Sequence, residues 1–274
     1  MKLSLFLATA LLATGSLSRP SGTKLADRLN RRALARGSKP LVPVFDDEEK
    51  TDVAGNNTAN VAYSSNWSGA VLESPPSGQS FKSAYGTFTV PSVSKGTGSQ
   101  SSWSSSAWVG IDGDTYGNAI LQAGVDFTIS SSGTVSYDSW YEWYPDYAYD
   151  FSNFAVHTGD VIAISIVSSS SSKGTVTLAN KTTGKSVSKT LSAPDSSSTL
   201  AGQNAEWIVE DFDENNSEVP LSDFHTVTFT GASAKTASET VGLSGATVID
   251  LKQNSKVLTT VTIESDSSVQ ITYV

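Results

Sequence analysis

Carboxylates and side-chain amides carry the candidate chemistry of this 274-residue chain. The chain contains no Cys, which excludes thiol nucleophiles, disulfides and Cys-based zinc sites. It has neither a HExxH motif nor a GxSxG elbow. We expect no Ser-His-Asp triad, because His157 lies in a turn-like stretch and His225 at the start of a strand-like run. General acid–base chemistry by acids and amides, without a metal or another cofactor, is what remains.

Acids, an amide and aromatic rings recur in four strand-like segments. Side chains alternate faces along a strand, and apolar residues such as Val109, Val125 and Val209 indicate the core face. The opposite face then carries Trp108, Gly110, Asp112, Gln122, Gly124, Asp126, Asp138, Trp140, Glu142, Glu206, Ile208 and Glu210. Large rings are seldom left on a merely solvated face, so this pattern favours a groove that binds an extended polymer. An ordinary solvated sheet face is the alternative.

The elements that must position these residues are β-strands. From about residue 60 onward, short alternating runs rich in Val, Ile, Thr, Tyr and Trp are separated by Gly, Asn, Asp and Ser. This pattern predicts one all-β domain at 60–274, a β-sandwich of the jelly-roll, concanavalin-like type with two antiparallel sheets packed face to face. Serine-rich stretches at 101–106, 168–172 and 196–198 are predicted to be exposed loops.

Charge divides the chain into two unlike parts. Residues 1–50 hold 9 Lys and Arg against 5 Asp and Glu, a net charge of +4, whereas the remainder carries −13. The total of −9 argues against a nucleic-acid partner and against binding to an anionic membrane.

The first part of the chain is typical of an exported precursor. Lys2, an apolar run at 3–13 and small residues before position 19 predict a signal peptide at 1–18. The basic stretch at 19–59 cannot form a core of its own and is predicted to be a propeptide. We therefore expect a secreted, extracellular protein. Four N-x-[ST] sequons agree with export and stand at Asn56, Asn66, Asn180 and Asn215.

Four sequence blocks resemble the glutamic peptidases, or eqolisins, which are pepstatin-insensitive acid proteases secreted by filamentous fungi. The blocks are WVGIDGD at 108–114, ILQAGVDF at 120–127, YDSWYEWYP at 137–145 and NAEWIVEDF at 204–212. The resemblance begins near NWSGA at 66–70 and continues to the C-terminus, so it covers essentially the whole β domain.

The resemblance implies two curved seven-stranded antiparallel sheets and a precursor whose mature form works in acid. It maps the catalytic dyad of the family onto Gln122 and Glu206. It maps the substrate-binding cleft onto Trp108, Asp112, Asp138, Trp140 and Glu142. Protein and peptide substrates and a monomeric enzyme are expected on the same ground. The opposite charges of leader and domain further predict that the propeptide binds and inhibits the domain near neutral pH and is released in acid. Relatives often contain disulfides, which this chain cannot form.

The implied dyad suits peptide hydrolysis, because Glu206 can take a proton from water while Gln122 donates to the developing oxyanion. Two other functions remain open from the residues alone. A jelly-roll glycoside hydrolase would use Glu142 and Glu206 as its paired carboxylates. A non-catalytic carbohydrate-binding sandwich would hold a sugar and hydrolyse nothing. Which of Asp112, Asp138 and Glu142 orients the dyad cannot be read from their spacing.

Overall fold

The computed structural model describes residues 36–45 and 61–274. This part of the chain contains no helix. Its strands are β1 (Arg36–Gly37), β2 (Val61–Ser64), β3 (Trp67–Leu72), β4 (Ser83–Thr89), β5 (Ser102–Ile111), β6 (Ile120–Ser130), β7 (Val135–Tyr144), β8 (Tyr149–Asp150), β9 (Val161–Ser170), β10 (Lys173–Asn180), β11 (Lys185–Ser192), β12 (Ala205–Glu210), β13 (Asp213–Glu214), β14 (Ser217–Glu218), β15 (Thr226–Lys235), β16 (Thr240–Val241), β17 (Thr247–Gln253), β18 (Lys256–Val257), β19 (Thr259–Ser265) and β20 (Ser268–Tyr273).

Two large sheets contain most of these strands, which confirms the predicted all-β sandwich. One has eight strands in the order β11-β10-β9-β4-β15-β20-β19, with β16 paired to β15. The other has nine, in the order β18-β17-β3-β12-β5-β6-β7-β8, with β2 paired to β17. The expectation of seven strands per sheet was wrong, because short strands extend both sheets. The pairing of β2 with β17 is also parallel, whereas the other pairs are antiparallel in the described residues.

The hydrophobic core fills the space between the two sheets. Alternate residues of the central strands meet there, among them Val109 of β5, Val125 of β6 and Trp207 of β12, all fully buried. Facing strands contribute Ile164 and Phe229 from the eight-stranded sheet. The predicted core face is confirmed, and the polar residues of the same strands lie on the opposite side of the nine-stranded sheet. We call that side the site face.

The prediction that the serine-rich stretch at 101–106 is an exposed loop was wrong. Residues 102–106 form the first half of β5, and Ser105 and Ser106 are fully buried. Small hydroxyl side chains fit this position because each finds a partner: the Oγ of Ser105 lies 2.7 Å from that of Ser222. A run of serine is therefore compatible with a buried strand when neighbouring strands supply hydrogen-bond partners.

The predicted signal peptide lies outside the described residues, as does the propeptide except for 36–45. Of the three sequons in the described part, two are turned inward: the Nδ2 atoms of Asn66 and Asn180 donate hydrogen bonds within the fold. Asn215 is exposed. No helix in the described residues is long and apolar enough to cross a membrane.

Candidate active site

One row of side chains crosses the centre of the site face. Glu206 of β12 pairs with Gly110 of β5, Gly110 with Gln122 of β6, and Gln122 with Glu142 of β7. Directly paired residues in antiparallel strands point to the same face, with Cβ atoms about 4.5–5.5 Å apart. Strand pairing thus brings together the two predicted dyad residues and one predicted cleft residue, although they are far apart in sequence.

Gly110 separates the two dyad residues and has a steric reason to be glycine. A Cβ atom built at this position would overlap Oε1 of Glu206 and approach the ring of Trp108 to 2.8 Å. The Glu206 carboxyl group therefore lies over the Gly110 backbone, on the side of its own strand that faces Gln122. A side chain at position 110 would displace it.

The two predicted dyad residues are buried, but their polar side-chain atoms form no hydrogen bonds with the described part of the chain. Glu206 and Gln122 are both 0% exposed. Neither Glu206 oxygen nor either polar atom of the Gln122 amide has a hydrogen-bond partner in the described part of the chain. Buried polar groups nearly always have such a partner, and an unsatisfied one costs about 1–3 kcal/mol. Two neighbouring exceptions make this row the candidate active site of the sheet.

The Glu206 carboxyl group lies in a setting that opposes ionisation. Burial raises the pKa of Glu206 well above its ordinary value, and the nearby carboxyl groups of Asp112 and Asp114 raise it further. Strongly shifted acids are concentrated at functional sites.

Asp112 holds the loop that leads into the Glu206 strand. Its backbone has a φ of 67°, and its carboxylate accepts four backbone N–H groups, those of Ala201, Gly202, Gln203 and Asn204, at 2.6–3.2 Å. β12 begins at the next residue, Ala205. The Asp112 oxygens are thus occupied by the protein, and this predicted cleft residue fixes the start of the strand that carries Glu206.

Aromatic rings form the next row of the site face. Trp108 and Trp140 are fully buried and flank Gly124 in register. Trp67 packs edge-on against Trp108, with ring centroids 4.9 Å apart. The Nε1 atom of Trp108 donates to Glu210 at 3.0 Å, which fixes the ring.

The row beyond the tryptophans contains acids that the resemblance did not single out. Glu210, Ser106, Asp126 and Asp138 are paired in that order across β12, β5, β6 and β7. Asp138, a predicted cleft residue, therefore lies two rows from the dyad. The alternation of side chains had already placed Asp126 and Glu210 on this face, and that alternation is the signal by which they could have been selected.

A short segment of the predicted propeptide lies across this acidic row. We call residues 36–45 the strap. Arg36 is buried, and its guanidinium group forms two hydrogen bonds to Asp126, at 2.9 and 3.0 Å, and one to Glu142, at 3.2 Å. The same group stacks on Trp140, 3.8 Å from the ring centroid. Opposite charges in bidentate geometry with an aromatic face beneath form a specific site for a guanidinium group.

The next two residues of the strap, Ser38 and Lys39, also contact the site face. Ser38 donates from Oγ to Glu210 at 2.7 Å and from its amide to Glu142 at 3.2 Å. The carbonyl of Lys39 accepts the Trp67 Nε1 hydrogen at 3.0 Å. The strap therefore uses both the acids and the aromatic rings of the predicted cleft.

His225 is the second histidine that the sequence analysis set aside. Its Nε2 lies 3.1 Å from Oγ of Ser94, and its Nδ1 lies 3.3 Å from Asp223. The His225 side chain is 52% exposed and that of Asp223 27%. In a catalytic triad the Asp is buried, so we assign no catalysis to this surface group. No cluster of three or more metal-ligating side chains occurs in the described residues.

A buried acid near the site predicts the pH dependence of stability. Burial raises the pKa of Asp211 to about 8, although a hydrogen bond from Gln253 at 2.7 Å opposes the rise. A carboxyl group with a raised folded-state pKa supports the fold fully below its unfolded-state pKa, and this support is lost as pH rises through the folded-state value. We expect Tm to fall between pH 4 and pH 8 and Asp211→Asn to flatten that fall.

Thermal melts of the two proteins at both pH values test this expectation. Asn can still accept the Gln253 hydrogen bond but cannot ionise. A change of 1 kcal/mol moves Tm by about 2–4 °C in a domain of this size. If Tm falls equally between pH 4 and pH 8 in Asp211→Asn and in the unchanged protein, ionisation of Asp211 is not the cause of the fall.

Comparison with known proteins identifies the family. Residues 65–273 match the profile of the Peptidase A4 family. The chain is 44% identical to Aspergillopepsin-2 of Aspergillus niger over 291 positions, covering 100% of both chains. It is 40% identical to Scytalidopepsin B of Scytalidium lignicola over 225 positions, covering 80% of this chain and 81% of the relative.

Solved structures agree with the sequence relatives. A crystal structure of scytalido-glutamic peptidase with a transition state analog inhibitor matches 77% of this chain and 98% of its own, with 40% identity and a TM-score of 0.68. The aspergilloglutamic peptidase of Aspergillus niger matches 63% and 99%, with 51% identity and a TM-score of 0.59. The relatives are peptidases, and neither of the two carbohydrate-directed alternatives is supported. This chain therefore belongs to the Peptidase A4 family, the eqolisins, and is a glutamic peptidase.

Proposed function

We propose that this peptidase is a secreted acid endopeptidase in which Glu206 activates water and Gln122 stabilises the oxyanion. The observation that supports this best is the register of Glu206, Gly110 and Gln122 on adjacent strands. It sets an acid and an amide on either side of a position that has no side chain. Because described residues engage neither group, both can act on a peptide.

The reaction follows from these two groups. The Glu206 carboxylate accepts a proton from water as the water oxygen attacks the carbonyl carbon of the peptide. The electron pair of the C=O double bond moves to oxygen, and Nε2 of Gln122 donates a hydrogen bond to that oxyanion. Glu206 then returns the proton to the leaving nitrogen as the C–N bond breaks, which yields a carboxylic acid and an amine.

Glu206 must be ionised to act as a base. Burial is the first cause of its raised pKa, and removal of the strap from the same face would admit water there and lower that pKa. The carboxylates of Asp112 and Asp114 are the further causes. Since burial raises the pKa of Asp114 to about 6, acid also removes one of the charges that oppose ionisation of Glu206.

An assay with two substrate classes tests the proposed activity. The mature domain is incubated with acid-denatured casein and with a polysaccharide panel at about pH 3–4, where a Glu of ordinary pKa ionises in part. Pepstatin is present throughout. We expect cleavage of casein alone. Cleavage of a polysaccharide, or no casein cleavage by folded domain, would contradict the proposal.

The strap is proposed to be the inhibitory part of the chain's own propeptide. It lies on Trp67, Trp140, Glu142 and Glu210 of the site face, where an extended substrate would also have to lie. The propeptide is basic and the domain carries the acidic excess, so general protonation of the domain's carboxyl groups in acid weakens the attraction between them. We therefore expect inhibition near neutral pH and release in acid.

Removal of the Arg36 side chain from the propeptide should weaken binding by roughly 150- to 4,000-fold, since breaking a buried charge pair costs about 3–5 kcal/mol. Peptides spanning 19–59, unchanged or with Arg36→Ala, are titrated into the mature domain carrying Glu206→Gln, and binding is measured by calorimetry. Val42→Ala is the matched control, because the Val42 side chain is 42% exposed. Equal affinity of the Arg36→Ala and Val42→Ala peptides, or affinity that does not fall from pH 6 to pH 3, would exclude this role.

Secretion and the monomeric state complete the proposal. Secretion rests on the leader pattern at 1–18 and the boundary near residue 59, both outside the described residues. N-terminal sequencing of protein recovered from culture medium, together with its mass in solution, tests both predictions.

A further inference from the structure

Glu142 lies directly beside the proposed oxyanion donor. It is the register partner of Gln122, both side chains are fully buried, and both lie on the site face. At the Cβ separation of such pairs, about 4.5–5.5 Å, a Glu and a Gln can reach each other with their terminal groups.

Glu142 and Gln122 each have polar side-chain atoms without a hydrogen-bond partner in the described residues. Oε2 of Glu142 accepts hydrogen bonds from Arg36 and from the Ser38 amide, each at 3.2 Å. Oε1 of Glu142 has no partner in the described part of the chain, and neither has the Gln122 amide. One Glu142 oxygen thus serves the strap, and the other is available to Gln122.

The proposed reaction requires that the Gln122 amide has one orientation. An amide presents an acceptor at one end and a donor at the other, and only its NH₂ end can stabilise an oxyanion. A neighbour that donates to Oε1 turns Nε2 toward the substrate. A protonated carboxyl group is such a donor, whereas a carboxylate would attract the NH₂ end and reverse the amide.

We propose that protonated Glu142 is a positioning residue that donates a hydrogen bond to Oε1 of Gln122 and so directs Nε2 at the oxyanion. This inference rests on the proposed function and names the group that orients the dyad. It also explains why an acid, which contributes no proton to the balanced reaction, stands in the catalytic row.

The charges around Glu142 support its neutral form. Burial raises the pKa of Glu142 to about 8; Arg36 of the strap and the Ser38 amide lower it, whereas Glu210 of β12 and Asp126 of β6 raise it. Glu206 lies in the same row, across Gly110. When the strap leaves, the guanidinium leaves with it and acidic neighbours remain. Glu142 is therefore protonated in acid and loses its donor as pH rises through its pKa.

Three variants of the strap-free mature domain test this role: Glu142→Ala, Glu142→Gln and the control Glu264→Gln. Glu264 is exposed on the eight-stranded sheet.

We expect Glu142→Ala to lower kcat by about 10- to 100-fold with little change in KM. This loss is smaller than the loss expected when the oxyanion donor itself is removed. The Gln side chain keeps an N–H donor, so Glu142→Gln should retain kcat to within a few-fold. It should also extend activity to higher pH than the unchanged enzyme. The control should match the unchanged enzyme at every pH.

A spectroscopic readout separates this inference from the proposed function. The side-chain amide signals of Gln122, assigned by their absence in Gln122→Ala, should shift with pH in the unchanged domain and remain constant in Glu142→Gln. Equal kcat for Glu142→Ala and Glu142→Gln, or amide signals that do not depend on residue 142, would overturn the positioning role. If the signals behave as expected while Gln122→Ala keeps full activity, the hydrogen bond stands and the proposed catalytic role of Gln122 fails.

Discussion

Glu206→Gln should yield a folded domain without measurable turnover. The substitution removes the group that we propose takes the proton from water and returns it to the leaving nitrogen. A single acid–base catalyst contributes about 10²–10⁴ in rate, and because Glu206 serves both transfers we expect a loss of kcat at the upper end, about 10⁴-fold. Initial rates on a peptide substrate in acid measure this loss.

The fold should survive this substitution. Neither Glu206 oxygen has a hydrogen-bond partner in the described residues, so the amide replaces no structural contact there. Burial opposes the charged form of the acid, and a neutral amide avoids that cost. The circular dichroism spectrum should therefore match that of the exposed control Glu264→Gln, and Tm should be at least as high. Turnover above a few per cent of the unchanged enzyme in a folded Glu206→Gln domain would exclude Glu206 as the base.

Gln122→Ala should lower kcat by about 10²–10³-fold, the effect of removing one oxyanion donor in comparable enzymes. KM should change little, because the hydrogen bond strengthens only as negative charge develops on the carbonyl oxygen. The measurement is kcat and KM from initial rates over a range of substrate concentrations. Both enzymes are assayed at the same pH, so that Glu206 and Glu142 have the same protonation states in each.

Two further variants define the Gln122 result. Gln100→Ala is the matched control, since Gln100 is exposed and lies outside the catalytic row. Gln122→Glu keeps the shape but loses its donor when the carboxyl group ionises, so its activity should decline more steeply toward neutral pH than that of the unchanged enzyme. A Gln122→Ala enzyme as active as Gln100→Ala would rule out the proposed oxyanion role.

The Arg36 and Glu142 predictions both depend on the Glu142 carboxyl group. The strap uses Oε2 of Glu142, and the proposed dyad contact uses Oε1. A propeptide that binds this acid thus lies beside the group proposed to orient Gln122, and removal of the strap changes the charge next to the row that contains Gln122 and Glu206.

Much of this arrangement could be predicted before any tertiary structure. Alternation along single strands placed Gln122 and Glu206 opposite the core, because a side chain's face depends only on its position in the pleat. The resemblance named these two residues as the dyad, and the comparisons confirm the family. The uneven charge also indicated that the leader and the domain are complementary.

Other features could not be predicted because they depend on contacts between distant parts of the chain. Composition suggested a loop at 101–106, yet hydroxyl partners on other segments make it a buried strand. The resemblance assigned Asp112 to the cleft, and it took the structure to show that its carboxylate accepts the N–H groups of a loop about ninety residues further along.

The sequence by itself determined the fold class, the family and the face on which each polar residue lies, since these follow from local alternation and from similarity along the chain. Only the tertiary structure decided which residues share a row. Register between strands is set by pairing over long sequence distances, and a shift of one residue would turn Glu206 toward the core. That pairing aligns Glu206, Gly110, Gln122 and Glu142, and it creates the acidic pocket in which Arg36 lies.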